Sequence, residues 1–279
     1  MCDQRCMALV KRQMLDRRRF FVGAGTVGVG LGAAALVGRP VRAAGPLSVT
    51  NATPIDLTYT LANDFPTYFG EPGFSSEQRF SFDKHGFNLN TWAVNEHTGT
   101  HVDAPIHFSA DGNTVDEMPV EQLVAPIAVI DIREKAAADD EAQVTPDDIR
   151  AWIETNGPLP EGAVVAMNSG WGARVADGTF RNADEAGTMH FPGFHVEAAT
   201  MLMEEAEVVG MAVDTLSLDI GSSGDFATHY AWLPTGRFGI ENLANVDQLP
   251  ATGAIVVIGA PKAAGGTGGP SRVIALVPS

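Results

Sequence analysis

Hydrophobic and polar positions follow two periods along this chain. Apolar runs rich in Val and Ile, bounded by Gly, Pro or Asp, occur at 55–60, 87–94, 126–132, 163–168, 208–213, 254–258 and 272–277, and each reads as a β-strand. Helices are fewer. The segment 145–156 opens on Thr145 as N-cap, with Pro146 at the first helical position and Asp147 and Asp148 at the positive end of the dipole. The segment 195–206 carries Ala198, Met201 and Leu202 at helical spacing, whereas 135–141 reads as a solvated charged loop. With no repeat of fixed period and no low-complexity linker, this order predicts one mixed α/β domain over residues 44–279.

The first 43 residues break the pattern. Arg17, Arg18, Arg19, Phe20 and Phe21 lead into an apolar, glycine-rich run at 22–38, and small residues follow around Ala43. A basic segment, an apolar segment and small residues in that order predict an export signal over 1–43, cleaved after export. The arginines resemble a twin-arginine signal, with Asp16 where Ser or Thr is usual, which implies a periplasmic or secreted protein. A membrane anchor fits less well, because 20–38 holds six glycines and a spanning helix needs about 20 strongly apolar residues. Gly23, Gly25 and Gly28 match a dinucleotide-binding pattern, but no strand precedes them and no βαβ unit surrounds them.

Composition narrows the partners. The 279 residues are 45% hydrophobic and 19% charged, enough for a substantial core. From Ala44 onward 10 basic face 32 acidic side chains, a formal −22, and such a field repels nucleic acid and anionic membranes. Both cysteines, Cys2 and Cys6, lie in the basic leader, so the rest has no disulfide framework, cysteine nucleophile or thiolate metal site.

The candidate chemistry is concentrated at 96–108. Three of the seven histidines, His97, His101 and His107, stand within eleven positions, with Asp103 among them. Imidazole and carboxylate ligands suit Zn²⁺, Mn²⁺ or Fe²⁺. All four share parity, so an extended chain would point them to one side. A straight strand still fails as a chelate, since residues four apart lie roughly 13 Å from each other. The chain therefore has to curl, and Gly99 permits the curl while Pro105 offers a second bend. Gly99, Pro105 and the β-branched Thr98, Thr100 and Val102 argue against a helical pairing. Two imidazoles and a carboxylate leave open positions on an ion for a water able to attack an amide or ester carbonyl. His107 is placed to move its proton.

The run from His97 to His107 resembles the HxGTHxDxPxH signature of the cyclase family of metal-dependent hydrolases, of the kynurenine formamidase and isatin hydrolase kind. Segments at 214–217, 240–243 and 268–273 resemble further family segments in family order. The resemblance implies a swivelling β/β/α fold, a homodimer or larger assembly, and one or two divalent ions per subunit, Mn²⁺ or Zn²⁺. It implies His97, His101 and Asp103 as primary ligands, His107 as the active-site histidine, and His229 with Glu241 completing the site. The expected activity is cleavage of a C–N bond in a small cyclic or aryl amide, with arylformamidase or lactone and ester hydrolysis as alternatives. A metal-binding protein without turnover is the alternative of another class.

The remaining candidates weigh differently. Trp92 precedes the motif and Trp171 follows a strand end, so both are expected as walls for a flat substrate. His85, His190 and His195 read as surface, packed or capping residues. The glycine-rich run 259–269 is no phosphate loop, because Lys262 precedes the glycine cluster at 265–269 and no helix follows.

Overall fold

The computed structural model describes residues 51–278. The expected export signal at 1–43 lies outside the described residues. No helix among them is long and apolar enough to cross a membrane.

Among the described residues thirteen strands are formed: β1 Ala52–Asp56, β2 Phe74–Phe80, β3 Leu89–Val94, β4 His101–Asp103, β5 Val124–Asp131, β6 Gln143–Val144, β7 Ala163–Asn168, β8 Gly193–Phe194, β9 Val208–Ala212, β10 Phe238–Glu241, β11 Ala254–Gly259, β12 Gly268–Pro270 and β13 Arg272–Pro278. The helices are α1 Phe82–His85, α2 Arg133–Ala138, α3 Pro146–Asn156, α4 Ala173–Ala176, α5 Val196–Glu205 and α6 Ala227–Trp232. Nine strands make one sheet in the order β1-β13-β11-β5-β7-β9-β10-β4-β12. Its middle, β5, β7, β9 and β10, is parallel, and both flanks are antiparallel.

Alternation within β5 and β7 explains why the sheet is covered on both faces. Ala128, Ile130, Val165 and Met167 join Ile149 and Trp152 of α3 and Ala198 and Leu202 of α5 in one core. Their neighbours Ile127, Val129, Val164 and Ala166 enter a second core. There Val102 of β4 meets the same cluster as Val273 and Ala275 of β13, so the two flanks of the sheet curl toward each other. The fold is the expected mixed α/β class.

Both long helices stand where their spacing places them. Thr145 and Asp148 form a reciprocal cap on α3, and His195 caps α5 by accepting the Glu197 N–H at 3.2 Å. The segment 135–141 differs from expectation: its first half belongs to α2, because Ala136 is buried in the core and Lys135 reaches Asp148 at 2.7 Å. The strand expected at 55–60 instead ends at Asp56, where its pairing with β13 stops.

Candidate metal centre

The motif folds as two bends around a three-residue strand. Gly99 takes φ +61°, the left-handed conformation glycine adopts without strain. The resulting turn is pinned because the Gly99 carbonyl accepts both His101 Nδ1 and Asn242 Nδ2 at 2.9 Å. Strand β4 then pairs with β10 in a register that sets His101 directly across from Glu241. Pro105 opens the 3₁₀ turn Pro105–Phe108, which folds His107 back so that its ring stacks on His97 at 3.8 Å and 20°. His229 arrives from α6, outside the sheet.

These elements bring all six expected site residues together. His97 Nδ1 lies 2.7 Å from Asp103 Oδ1. His101 Nε2 lies 3.3 Å from both Asp103 Oδ1 and Glu241 Oε2. His229 Nε2 is 3.2 Å from Glu241 Oε1 and 3.8 Å from Asp103 Oδ2. His101, Asp103, His229 and Glu241 are buried, so whatever charge they carry has to be met inside the protein.

The donor set fits a divalent ion. His101 gives its Nδ1 proton to Gly99, and His229 directs Nδ1 at Asp219 Oδ2 at 2.6 Å, so in the neutral rings both Nε2 lone pairs face the carboxylates. His101 Nε2 and Asp103 Oδ2 are buried with no hydrogen-bond partner, the condition a cation would satisfy. Among the described residues there are two groups whose own donor atoms all lie within 4.8 Å of one another: His101, Asp103 and Glu241, and His97, Asp103 and His107. Asp103 belongs to both, which accommodates one ion or two.

Electrostatics point the same way. Burial pushes the His101 imidazole down, but the Asp103 and Glu241 carboxylates, each 3.3 Å from its Nε2, override it and raise its pKa to about 10. His229 is likewise raised well above the usual histidine range, its burial outweighed by Asp103, Asp219 and Glu241. Asp103 is held well below the carboxylate range although burial opposes this. The carboxylates thus demand positive charge, which protons or a metal can supply. His107 behaves oppositely: burial pushes it down to about 4, so at neutral pH it is an uncharged imidazole.

A cavity of about 290 Å³ opens over these groups, with Tyr68, Phe69, Phe108, Leu216 and Phe226 on its walls. Phe108 lies 4.6 Å from the His229 ring and 5.6 Å from Phe226. Phe226 holds φ +51°, unusual for a bulky residue, immediately before the helix that carries His229. Neither expected tryptophan borders the cavity. Trp92 is 65% exposed on β3 against Phe74, because β2 and β3 form a separate hairpin. Trp171 is buried with Phe65 and Phe180, its indole N–H satisfied by the Phe180 carbonyl at 2.8 Å.

The other histidines take the structural roles expected of them. His85 is exposed beside Ser81, His190 pairs with Glu141 at 2.9 Å, and His195 is a cap. Sequence reasoning missed Asp219, Asn242, Glu96 and Thr267, which support the site, and the aromatic walls. Phe108 follows His107 directly and could have been read from the motif, whereas Asp219 and Thr267 have no local signature.

Comparison with known proteins gives a consistent set of likenesses. The Cyclase family model matches residues 55–220. Isatin hydrolase of Roseibium aggregatum is 38% identical over 202 residues, covering 69% of this chain and 76% of that protein. Kynurenine formamidase of Salinibacter ruber is 28% identical over 199 residues, covering 69% and 81%. A solved isatin hydrolase bound to the product analogue thioisatinate shares a TM-score of 0.77 at 33% identity, covering 82% of this chain and 94% of that one.

Proposed function

The chain belongs to the cyclase family of metal-dependent hydrolases, and from that premise we propose that it opens the C–N bond of a cyclic aryl amide of the isatin type. The observation that carries this is a convergent His and carboxylate donor set at the floor of an aromatic-walled cavity. The higher identity to an isatin hydrolase than to a formamidase over similar lengths supports the choice. His97, His101 and Asp103 would hold the ion, with His229 and Glu241 completing the shell. When bound, Mn²⁺ or Zn²⁺ supplies Lewis acidity and a water of lowered pKa.

The protein's own groups do the rest. Tyr68, Phe108 and Phe226 offer ring faces to a flat substrate and keep bulk water away. His107, uncharged and facing the cavity, accepts a proton from the attacking water and returns it to the leaving nitrogen. Water adds across the C–N bond: its oxygen goes to the carbonyl carbon, one proton to the leaving nitrogen and the other to solvent, so the ring opens to a carboxylate and an aryl amine within one molecule. The test is hydrolysis of isatin, N-formylkynurenine and a simple lactone by chelator-treated and metal-restored protein. Isatin is expected to give the highest kcat/KM, abolished by chelation. Preference for N-formylkynurenine would make the chain an arylformamidase, and no hydrolysis by metal-replete protein would leave a binding protein without turnover.

Two further features belong to this reading. The protein is exported: Arg17 to Arg19 and the glycine-rich run behind them support a twin-arginine signal, and replacing Arg18 and Arg19 by Lys would trap uncleaved precursor inside the cell. It also works as a homodimer. The β2–β3 hairpin leaves Phe80, Phe82, Phe87, Leu89, Trp92 and Val94 exposed, an apolar arm larger than scattered surface residues account for. A monomer mass in sedimentation at micromolar concentration would overturn this.

A further inference from the structure

The glycine-rich run 259–269 is packed against the metal motif. The Thr267 carbonyl accepts the Ala104 N–H and the Gly266 carbonyl accepts the Val115 N–H, each at 2.9 Å. Lys262 Nζ donates to the Asp116 carbonyl at 2.8 Å, and the Gly265 N–H donates to the Asp116 carboxylate at 2.9 Å. Only glycine permits this approach. A Cβ on Gly268 would stand 2.3 Å from the Val102 carbonyl oxygen and 2.8 Å from His97 Cε1, and one on Gly266 would stand 2.9 Å from Glu96 Oε1.

The run brings a single hydroxyl, Thr267, to the outer nitrogen of His97. Thr267 Oγ1 donates to Glu96 Oε2 at 2.6 Å, and the Thr267 N–H donates to Glu96 Oε1 at 3.2 Å. A hydroxyl has one proton to give. With that proton on the carboxylate, the oxygen meets His97 Nε2, 2.9 Å away, as an acceptor. His97 then carries its own proton on Nε2. A neutral imidazole has one N–H, so Nδ1 keeps its lone pair, and Nδ1 is the atom beside Asp103. His101 and His229 receive the same treatment from Gly99 and Asp219, so all three rings are oriented by an acceptor outside the donor cluster.

We propose that Glu96 and Thr267 are positioning residues for the metal: the Glu96 carboxylate holds the Thr267 hydroxyl, which takes the Nε2 proton of His97 and leaves Nδ1 to bind the ion. The inference rests on the metal-hydrolase reading and extends it to a segment 170 residues away in sequence. Neither residue borders the cavity, so neither acts by touching substrate.

The test is titration of metal-free full-length protein with Zn²⁺ and, separately, Mn²⁺. Loss of such an outer partner weakens metal binding about 10–100-fold, and Thr267→Val is expected to show that loss while Thr267→Ser restores near-native affinity. Glu96→Ala, at a half-exposed position, shows the same weakening and serves if Thr267→Val does not fold. Nitrogen–proton correlation spectra of the Zn²⁺-loaded wild type are expected to show the His97 proton on Nε2. Native affinity in Thr267→Val, failure of Thr267→Ser to rescue, or a proton on Nδ1 in the loaded protein would each overturn the proposal. A wild type that takes up no divalent ion would overturn the hydrolase reading, and this inference with it.

Discussion

His107→Ala separates proton transfer from metal binding, two roles the geometry places within reach of one ring. The His107 ring stacks on His97 at 3.8 Å and meets Phe108 edge-on at 4.8 Å. A ring contact of this kind is worth about 0.5–1.5 kcal/mol, so the variant should fold, with a modestly lowered Tm. A donor atom of His107 nevertheless lies within 4.8 Å of those of His97 and Asp103, close enough to reach an ion they hold. If His107 moves a proton, kcat falls about 10²–10⁴-fold, equivalent to about 3–5 kcal/mol of barrier, while metal per subunit stays at the wild-type value. Elemental analysis of purified protein, with kcat measured at saturating metal, reads the two quantities independently. An unchanged kcat would refute the proton-transfer role, and a metal content lowered in step with kcat would make His107 a ligand instead.

Two further perturbations test the surroundings. Burial holds the Asp214 carboxyl at about 6, against hydrogen bonds from the Ser169 hydroxyl and the backbone of Ser169 and Trp171 that pull it down. A carboxyl raised on folding favours the protonated native state, so its contribution is full below its ordinary value and is lost as pH rises through 6, spanning about 3 kcal/mol. Urea unfolding in chelator from pH 4 to 7 should show wild-type stability falling relative to Asp214→Asn, and a difference constant with pH would refute the assignment. Gly268→Ala forces a methyl against the Val102 carbonyl and the His97 ring, which should cost about 1–3 kcal/mol of stability and weaken metal uptake. An unchanged Tm would show that the run does not pack as described.

What the sequence reveals divides along physical lines. Strands β5, β7, β9 and β11 are mostly buried, and their interiors appear in the sequence as apolar runs. Strand β2, Phe-Ser-Ser-Glu-Gln-Arg-Phe, is mostly exposed, so no alternation marks it. Strand β12 is Gly-Gly-Pro, without β-propensity, and it is a strand only because Asp103, Val102 and His101 pair with it. The same division runs through the site. His97, His101, Asp103 and His107 are legible because parity, a glycine and a proline act within eleven positions. Trp92 misled through its closeness in sequence, since the chain between Trp92 and His97 leaves a hairpin that stands apart from the cavity.

Glu241 shows why the remainder could not be read locally. It reaches His101 through the register between β10 and β4, a property of how the sheet is assembled. Asp219, Glu96 and Thr267 depend in the same way on contacts set by the fold, as does Asn242, which pins the Gly99 carbonyl that His101 Nδ1 meets, and these contacts bear on which nitrogen of each imidazole carries a proton. The motif therefore states which residues can bind an ion, while the sheet and the glycine-rich run state whether those residues are in a form that binds. The separation has a consequence for substitutions: changes far from the signature, at Thr267 or Asp219, should weaken metal uptake while every residue of the signature remains in place.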